Sequence, residues 1–513
     1  MRDKIVNIME NIPGQVRRGA AILKRAAVFS RDRITEIATD LWSFSLPDLL
    51  VYSRYWVLIW FHILKVVMRR GPIGFVRELI RYPWMLHLLR ATALMRRFAR
   101  GRKGLYMESM CMVVHSVAVT LANMLEDIFY HKDRLIITEE MVPPDIARAM
   151  GLKVWMLEAM GILLPMMTPE FNLKYIDEAE NAGVNPDSCS LPKATMGMVM
   201  KGHMPSGLAL LTSNMPCDAG MASYSYIQRA YGIPTYRLDV PSHFYNERAE
   251  KLFSEDLRGM IAFLEENTPG RMDWDRLKQI CEGRNRMLEL ELELWDMIRH
   301  RPAPLAAEAV ILSHLWHFNL FPGEASSIRH YEKLVAMARK NLETQTPATD
   351  RERFRAVLWN PPFPHFVNIL NLVEQTFGIT LINDSMTYNR HTPIDTSTHE
   401  SMLRGLSMVI MQGPMVRHTR GPAENYLDDI FRMVKQFDLD MIWIANHVGC
   451  KSGQAMNGML REKCRARKIP LLILDYDLLD PRIVSQDNMM SQVEFFMENV
   501  MKAEKLDYQE KAA

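Results

Sequence analysis

The stretch "LALLTSNMPCDAG", residues 208–220, decides how the chain is read. An apolar run of strand length breaks into Ser213, Asn214 and Pro216, and Cys217 then stands alone before what reads as a helix. Open α/β sheets bind ligands at the carboxyl ends of their strands, so a thiol placed there is a candidate site residue. A second stretch, "MIWIANHVGCKSG" at 441–453, follows the same plan. In both, a strand ends in Asn, a cysteine follows three or four residues later, a helix intervenes, and Ile-Pro opens the next run ("GIPTYRLDVP" and "KIPLLILDYD"). The cysteine-to-isoleucine spacing is 16 residues in one copy and 19 in the other. This weak internal repeat predicts two similar α/β units that present Cys217 and Cys450 from equivalent strand ends, across the cleft between them.

The flanking sequence supports a parallel-sheet protein. "RLIITEE" (134–140), "KVWMLE" (153–158), "GLALLTSN" (207–214) and "IPTYRLDVP" (233–241) read as strands separated by helical patterns, among them the Pro-started "PPDIARAMG" (143–151). A mostly helical section, roughly 244–345, includes a long charged helix from about Asp273 to Arg301. A second series then follows: "RFRAVLWN" (353–360), "ITLINDS" (379–385), "DLDMIWIANH" (438–447) and "IPLLILDYD" (469–477) as strands, with intervening helices and a last helix at 489–505. Strands alternating with helices favour parallel sheets. The expected organisation is a basic helical extension over 1–130, a first α/β domain with a helical insertion over 131–345, and a second α/β domain over 346–513.

Charge is distributed unevenly. The whole chain of 513 residues carries only +2, but residues 1–104 carry +13 and the remainder −11. A basic segment of this kind suits an acidic partner, a membrane surface or nucleic acid. Its most membrane-like part, "YWVLIWFHILKVVM" (55–68), has only ten uncharged residues between Arg54 and Lys65, too few to span a bilayer. The region reads as amphipathic helices, either interfacial elements or a helical cap on the body. The 39 methionines read as core filler.

Six cysteines without a CxxC pair, and no secretory signal, point to a reducing cytoplasm rather than a disulfide framework. Cys111, Cys281 and Cys464 sit inside helical patterns and read as packing residues. Cys189, in "NPDSCSLPKATMGM" after turn chemistry, joins Cys217 and Cys450 as a thiol near a helix start, where the helix dipole is expected to lower thiol pKa values. Three such thiolates suit an iron–sulfur cluster or zinc, and His447, three residues before Cys450, makes a Cys3His zinc site the competing arrangement. No GxxxxGK[ST], GxSxG or HExxH motif is present, so P-loop ATP hydrolysis is not expected of this chain.

Taken together, "CSLPKATMG", "LLTSNMPCDAG" with "GIPTYRLDVP", and "ANHVGCKSGQ" with "IPLLILDYDLLDPR" resemble the family of 2-hydroxyacyl-CoA dehydratase subunits, which also contains the ATP-dependent benzoyl-CoA reductase subunits. The resemblance covers about residues 130–505 in the same order. It implies two flavodoxin-like (Rossmann-like) α/β domains with a helical region, and a 4Fe-4S cluster held by Cys189, Cys217 and Cys450 with one iron open to water or to a thioester oxygen. The implied activity is reductive dehydration of a 2-hydroxyacyl-CoA to an enoyl-CoA through a ketyl radical, because the β proton is scarcely acidic without it. Implied partners are the acyl-CoA, a related second subunit or a second copy, and a separate ATP-dependent iron–sulfur activator; the implied setting is an anaerobic cytoplasm, with no nucleic acid.

Two departures stand out. The first 130 residues have no counterpart in the family core, and "TEEMVPPDI" replaces the serine-rich stretch of some catalytic subunits. Glu139 and Glu140 are therefore candidate proton-handling groups, with a solvated pair at a strand end as the simpler reading. His447 is a candidate for tuning a cluster or donating to substrate. The alternatives are a benzoyl-CoA reductase-like subunit, or a non-catalytic electron-transfer or scaffold protein recruited to a membrane or partner through its N-terminal helices.

Overall fold

Eight short strands form two four-stranded sheets whose strands run parallel throughout. The computed structural model describes residues 44–506 except 100, 103, 243–245, 360–362, 385 and 389–392. Much of the basic segment, residues 1–43, lies outside the described residues, as do the last residues of two expected strands, Asn360 and Ser385.

The first sheet contains β1 (Leu135–Thr138), β2 (Lys153–Met156), β3 (Leu210–Ser213) and β4 (Thr235–Leu238), in the order β2-β1-β3-β4. The second contains β5 (Phe354–Trp359), β6 (Ile379–Asp384), β7 (Met441–His447) and β8 (Leu471–Tyr476), in the order β6-β5-β7-β8. The two orders are the same when each sheet is counted from its own first strand. β3 and β7 are thus equivalent, as the repeat predicts. The likeness extends to side chains: Asn214 at the end of β3 donates to Asp239 beyond β4, and Asn446 at the end of β7 donates to Asp475 in β8.

Burial explains the strand compositions. β1, β3 and β7 are buried along their whole lengths, so they read as continuous apolar runs rather than alternating ones. Trp155, Trp359 and Trp443 are fully buried in a core that joins both sheets to the N-terminal helices. A second apolar cluster covers one face of the first sheet, beneath the helices Glu247–Asn267, Trp274–Ile298 and His399–Met411.

One buried residue runs against the strand pattern. Arg355, in β5, is fully enclosed and donates to the carbonyls of Ile298 (3.3 Å), Arg299 (3.2 Å) and His300, with Glu352 at 2.7 Å balancing its charge. It therefore satisfies orphan carbonyls at the end of the long helix Trp274–Ile298.

The N-terminal region is a helical layer packed on the body. Its helices are Leu46–Arg70, Pro72–Arg81, Met85–Leu88, Ala91–Ala99 and Leu105–Tyr130. Buried Arg102 pins the layer, reaching Glu374 (2.7 Å) and Glu308 (3.2 Å) while lying 3.8 Å over the Tyr106 ring. The helix Leu46–Arg70 is much longer than the 55–68 stretch picked out in the sequence; it and Tyr106–Tyr130 are long and apolar enough, by length and composition, to cross a membrane. Half of the apolar window of the second is buried in the fold, as in a core helix, whereas the first leaves Leu50, Val57, Phe61, Leu64 and Met68 exposed.

Gly197 marks the closest approach between helices. On the helix Ser190–Met200, which Cys189 starts, a Cβ at Gly197 would sit 1.9 Å from the carbonyl oxygen of Tyr175 on the neighbouring helix Leu173–Asn181. Gly197→Ala is expected to force these helices apart and destabilise the fold by about 1–3 kcal/mol, the range for overpacking, measured as a lower urea midpoint.

Candidate functional site

The three cysteines singled out in the sequence occupy the N-cap positions of three helices: Cys189 before Ser190–Met200, Cys217 before Asp218–Tyr231 and Cys450 before Lys451–Ala455. All three line one cavity of about 640 Å³, which Glu139, Glu140 and His447 also line. Cys111, Cys281 and Cys464 are instead buried within helices. Every cysteine of the chain is a free thiol.

Cys189 is fixed by elements of the second sheet. The Leu478 N–H donates to His447 Nδ1 (3.1 Å), which leaves the ring proton on Nε2, 3.2 Å from the Cys189 sulfur. Ser190 Oγ accepts from the Leu479 N–H (3.1 Å), and Lys451 pairs with Asp187 (2.7 Å) on the turn before Cys189. A side chain at Gly449 would meet the Cys189 Cα at 2.7 Å, so the bare backbone there is what admits this approach. The Cys217 loop is held in the same manner: Arg420, from the helix Pro414–Arg420, donates to the Asn214 carbonyl and lies 3.0 Å from the Met215 sulfur.

At Cys189 and Cys450 the surroundings produce the opposite of the expected lowering of thiol pKa. Burial pushes the Cys189 and Cys450 thiols up, and the neighbouring thiols add to it, outweighing hydrogen bonds from the helix starts. Among the described residues no three His, Cys, Asp or Glu side chains are grouped to hold a single metal ion. The Cys3His zinc arrangement is therefore not assembled by Cys189, Cys217, Cys450 and His447.

The carboxylates differ from the solvated pair that the sequence suggests. Glu139 is fully buried, accepting from Ser213 Oγ (2.6 Å) and the Met141 N–H (2.7 Å), and burial raises its pKa to about 7. Glu140 keeps part of its surface open, accepts from Asn319 (3.3 Å), and is also pushed up to about 7 by burial. A third carboxyl, Glu158, was missed in the sequence; it follows β2 and is raised well above the usual range by burial, then by Glu139 and Glu140. The Tyr224 hydroxyl donates to Glu158 (3.2 Å) and lies 3.5 Å from Glu139. One phenolic proton thus serves two carboxyls.

Simple signals existed for two of the missed residues. Glu158 stands at the carboxyl end of a strand, where Glu139 was found, and Tyr224 lies two helical turns from Cys217 on the same helix. Arg420 has no such marker in the sequence.

A family described as "2-hydroxyglutaryl-CoA dehydratase, D-component" matches residues 140–500. A benzoyl-CoA reductase subunit of Thauera aromatica is 22% identical over 356 residues, covering 63% of this chain and 79% of that protein. The alpha subunit of (R)-2-hydroxyglutaryl-CoA dehydratase from Acidaminococcus fermentans is 26% identical over 171 residues, 32% of this chain and 36% of that protein.

Because burial raises these carboxyl pKa values, the fold holds their protons more tightly than the unfolded chain does. Stability from this source is complete below the ordinary carboxylate range and is lost as pH climbs through about 7. Glu158→Gln removes one buried titrating carboxyl while keeping an oxygen for Tyr224. Its urea midpoint is expected to match the parent near about pH 5 and to exceed it near about pH 8; equal midpoints at both would show that Glu158 is not held protonated.

Proposed function

Since the chain belongs to the 2-hydroxyglutaryl-CoA dehydratase D-component family, we propose that it is an iron–sulfur subunit of a dehydratase-like enzyme converting a 2-hydroxyacyl-CoA to an enoyl-CoA. The observation that carries this reading is the convergence of three helix-capping thiols, drawn from both sheets, on one cavity with three buried or half-buried carboxyls. Cysteine thiolates are the usual ligands of iron–sulfur clusters, which supports this reading of the three thiols. Cys189, Cys217 and Cys450 would hold a 4Fe-4S cluster. When bound, such a cluster supplies a low-potential electron and an iron with an open position.

The chain's own residues have separate tasks. The His447 Nε2–H points at the Cys189 sulfur, and a hydrogen bond to a ligand sulfur is one of the levers on cluster potential. Glu139 and Glu140, with pKa values raised to about 7, are poised to take a proton near neutrality. Tyr224 holds Glu139 and Glu158 in register by its shared hydroxyl. Arg420 ties the Cys217 loop to the second half of the chain, so that the thiol set depends on both sheets being in place.

A benzoyl-CoA reductase-like role is the second reading, supported by the length of the match to the reductase subunit, which spans about twice as much of this chain as the match to the dehydratase subunit. Both relatives are named as subunits, which supports a related partner subunit for this chain; a separate ATP-dependent activator and an anaerobic cytoplasm belong to the same proposal.

Protein purified without oxygen is expected to contain about four irons per chain with equal acid-labile sulfide, and to be brown. Cys217→Ala should lose most of that iron, whereas Cys464→Ala, a change at a buried packing thiol, should keep it. Colourless protein carrying zinc, or iron indifferent to Cys217, would sink the cluster assignment.

A further inference from the structure

The cavity has a second lining that the chemistry above does not use. Every side chain that residues 46–125 contribute to it is apolar, including Val66, Phe75, Leu88, Phe98, Val117 and Leu121. This is notable in a segment so rich in Arg and Lys, whose charged groups are directed elsewhere. Arg102 reaches Glu308 and Glu374, Arg69 pairs with Glu126, and Arg70 pairs with Glu78. The helices Ala159–Met167 and Ala307–Leu320 extend the apolar wall with Met166, Leu315 and Trp316.

These walls are built in. The indole of Trp84 donates to the His203 carbonyl (2.8 Å) and packs near Trp155, so the layer is fastened to the first sheet. The cavity as a whole, about 640 Å³ and lined mostly by apolar side chains, is far larger than packing defects in protein interiors and falls within the roughly 300–1,000 Å³ of ligand sites. It is continuous with the space before Cys189, Cys217, Cys450 and Glu139, so its occupant is part of the molecule that reaches those groups. The family match starts at residue 140, so the apolar wall from 46–125 is an addition to the matched region.

We propose that this N-terminal layer is an acyl-binding wall, and that the substrate is a CoA thioester with a long, uncharged hydrocarbon acyl chain lying against it. The proposal rests on the thioester reading above. Among the described residues, the wall from 46–125 offers no cation to a chain ending in a carboxylate, such as the glutaryl group in one relative's name; Arg420 and Lys451 line the cavity elsewhere, beside the Cys217 and Cys450 helix starts, and a carboxylate left unpaired against the apolar wall is strongly disfavoured.

The test is affinity, measured by calorimetry on the purified full chain without turnover. Butyryl-, octanoyl-, dodecanoyl-, palmitoyl- and glutaryl-CoA are compared, with free palmitate in parallel. Binding should tighten by up to about fourfold per methylene until the chamber is full, the factor for burying one methylene group, with glutaryl-CoA weakest. Ala118→Phe and Leu121→Trp, which fill the chamber, should abolish the gain for the long chains while sparing butyryl-CoA. Butyryl-CoA binding as tightly as palmitoyl-CoA to the parent protein would overturn the acyl wall, whatever the variants do. Binding of free palmitate but of no CoA thioester would overturn the thioester reading, and the proposal with it, while still placing a hydrocarbon in the chamber.

Discussion

A parallel strand cannot be joined to its neighbour by a tight turn, and much else in this protein follows from that constraint. Each strand must be left through a helix and the next entered from the far side, so in each sheet the strand carboxyl ends and the following helix starts gather along one edge. Glu139 follows β1, Glu158 follows β2, Cys217 follows β3 and Cys450 follows β7. At least a helix and a strand separate each of these residues from the next in sequence. Their meeting in one cavity is a product of topology, since the strand ends of both sheets supply its lining.

The eight strands were legible because the chain states them twice over, as apolar runs and as punctuation. Buried strands such as β1 and β7 cannot alternate, and turn residues bound them clearly. Cys217 and Cys450 were legible through the repeat, which the structure carries down to the paired Asn214–Asp239 and Asn446–Asp475 bonds. The solvated reading of Glu139 failed for a reason local sequence cannot express. Its burial depends on Tyr224, Ser213 and the helices above them, which arrive from elsewhere in the chain. Arg420 was invisible because its role, bonding a carbonyl 206 positions away, belongs wholly to tertiary structure.

The thiols teach a related lesson about competing magnitudes. A helix start offers a fraction of a positive charge to whatever sits before it, an effect worth tenths of a kcal/mol to about 2 kcal/mol. Desolvation acts over the whole group and can exceed this easily, as it does for Cys189 and Cys450. Burial of the sulfur thus favours the protonated thiol at both positions, against the pull of the helix start.

The helix starts occupied by Cys189, Cys217 and Cys450 share one more property. The oxygen cap that Ser45, Asp273 and Ser485 provide elsewhere in this chain is missing at all three, and Cys189 and Cys450 offer the first turn only a sulfur, a weak acceptor, approached by the Leu191 and Gly453 N–H groups. An uncapped start costs a helix on the order of 1 kcal/mol. Serine would thus favour folding more than cysteine does at these positions. Three helix starts around the cavity therefore carry a standing deficit in stability, at the very residues that a more robust version of this fold would replace first.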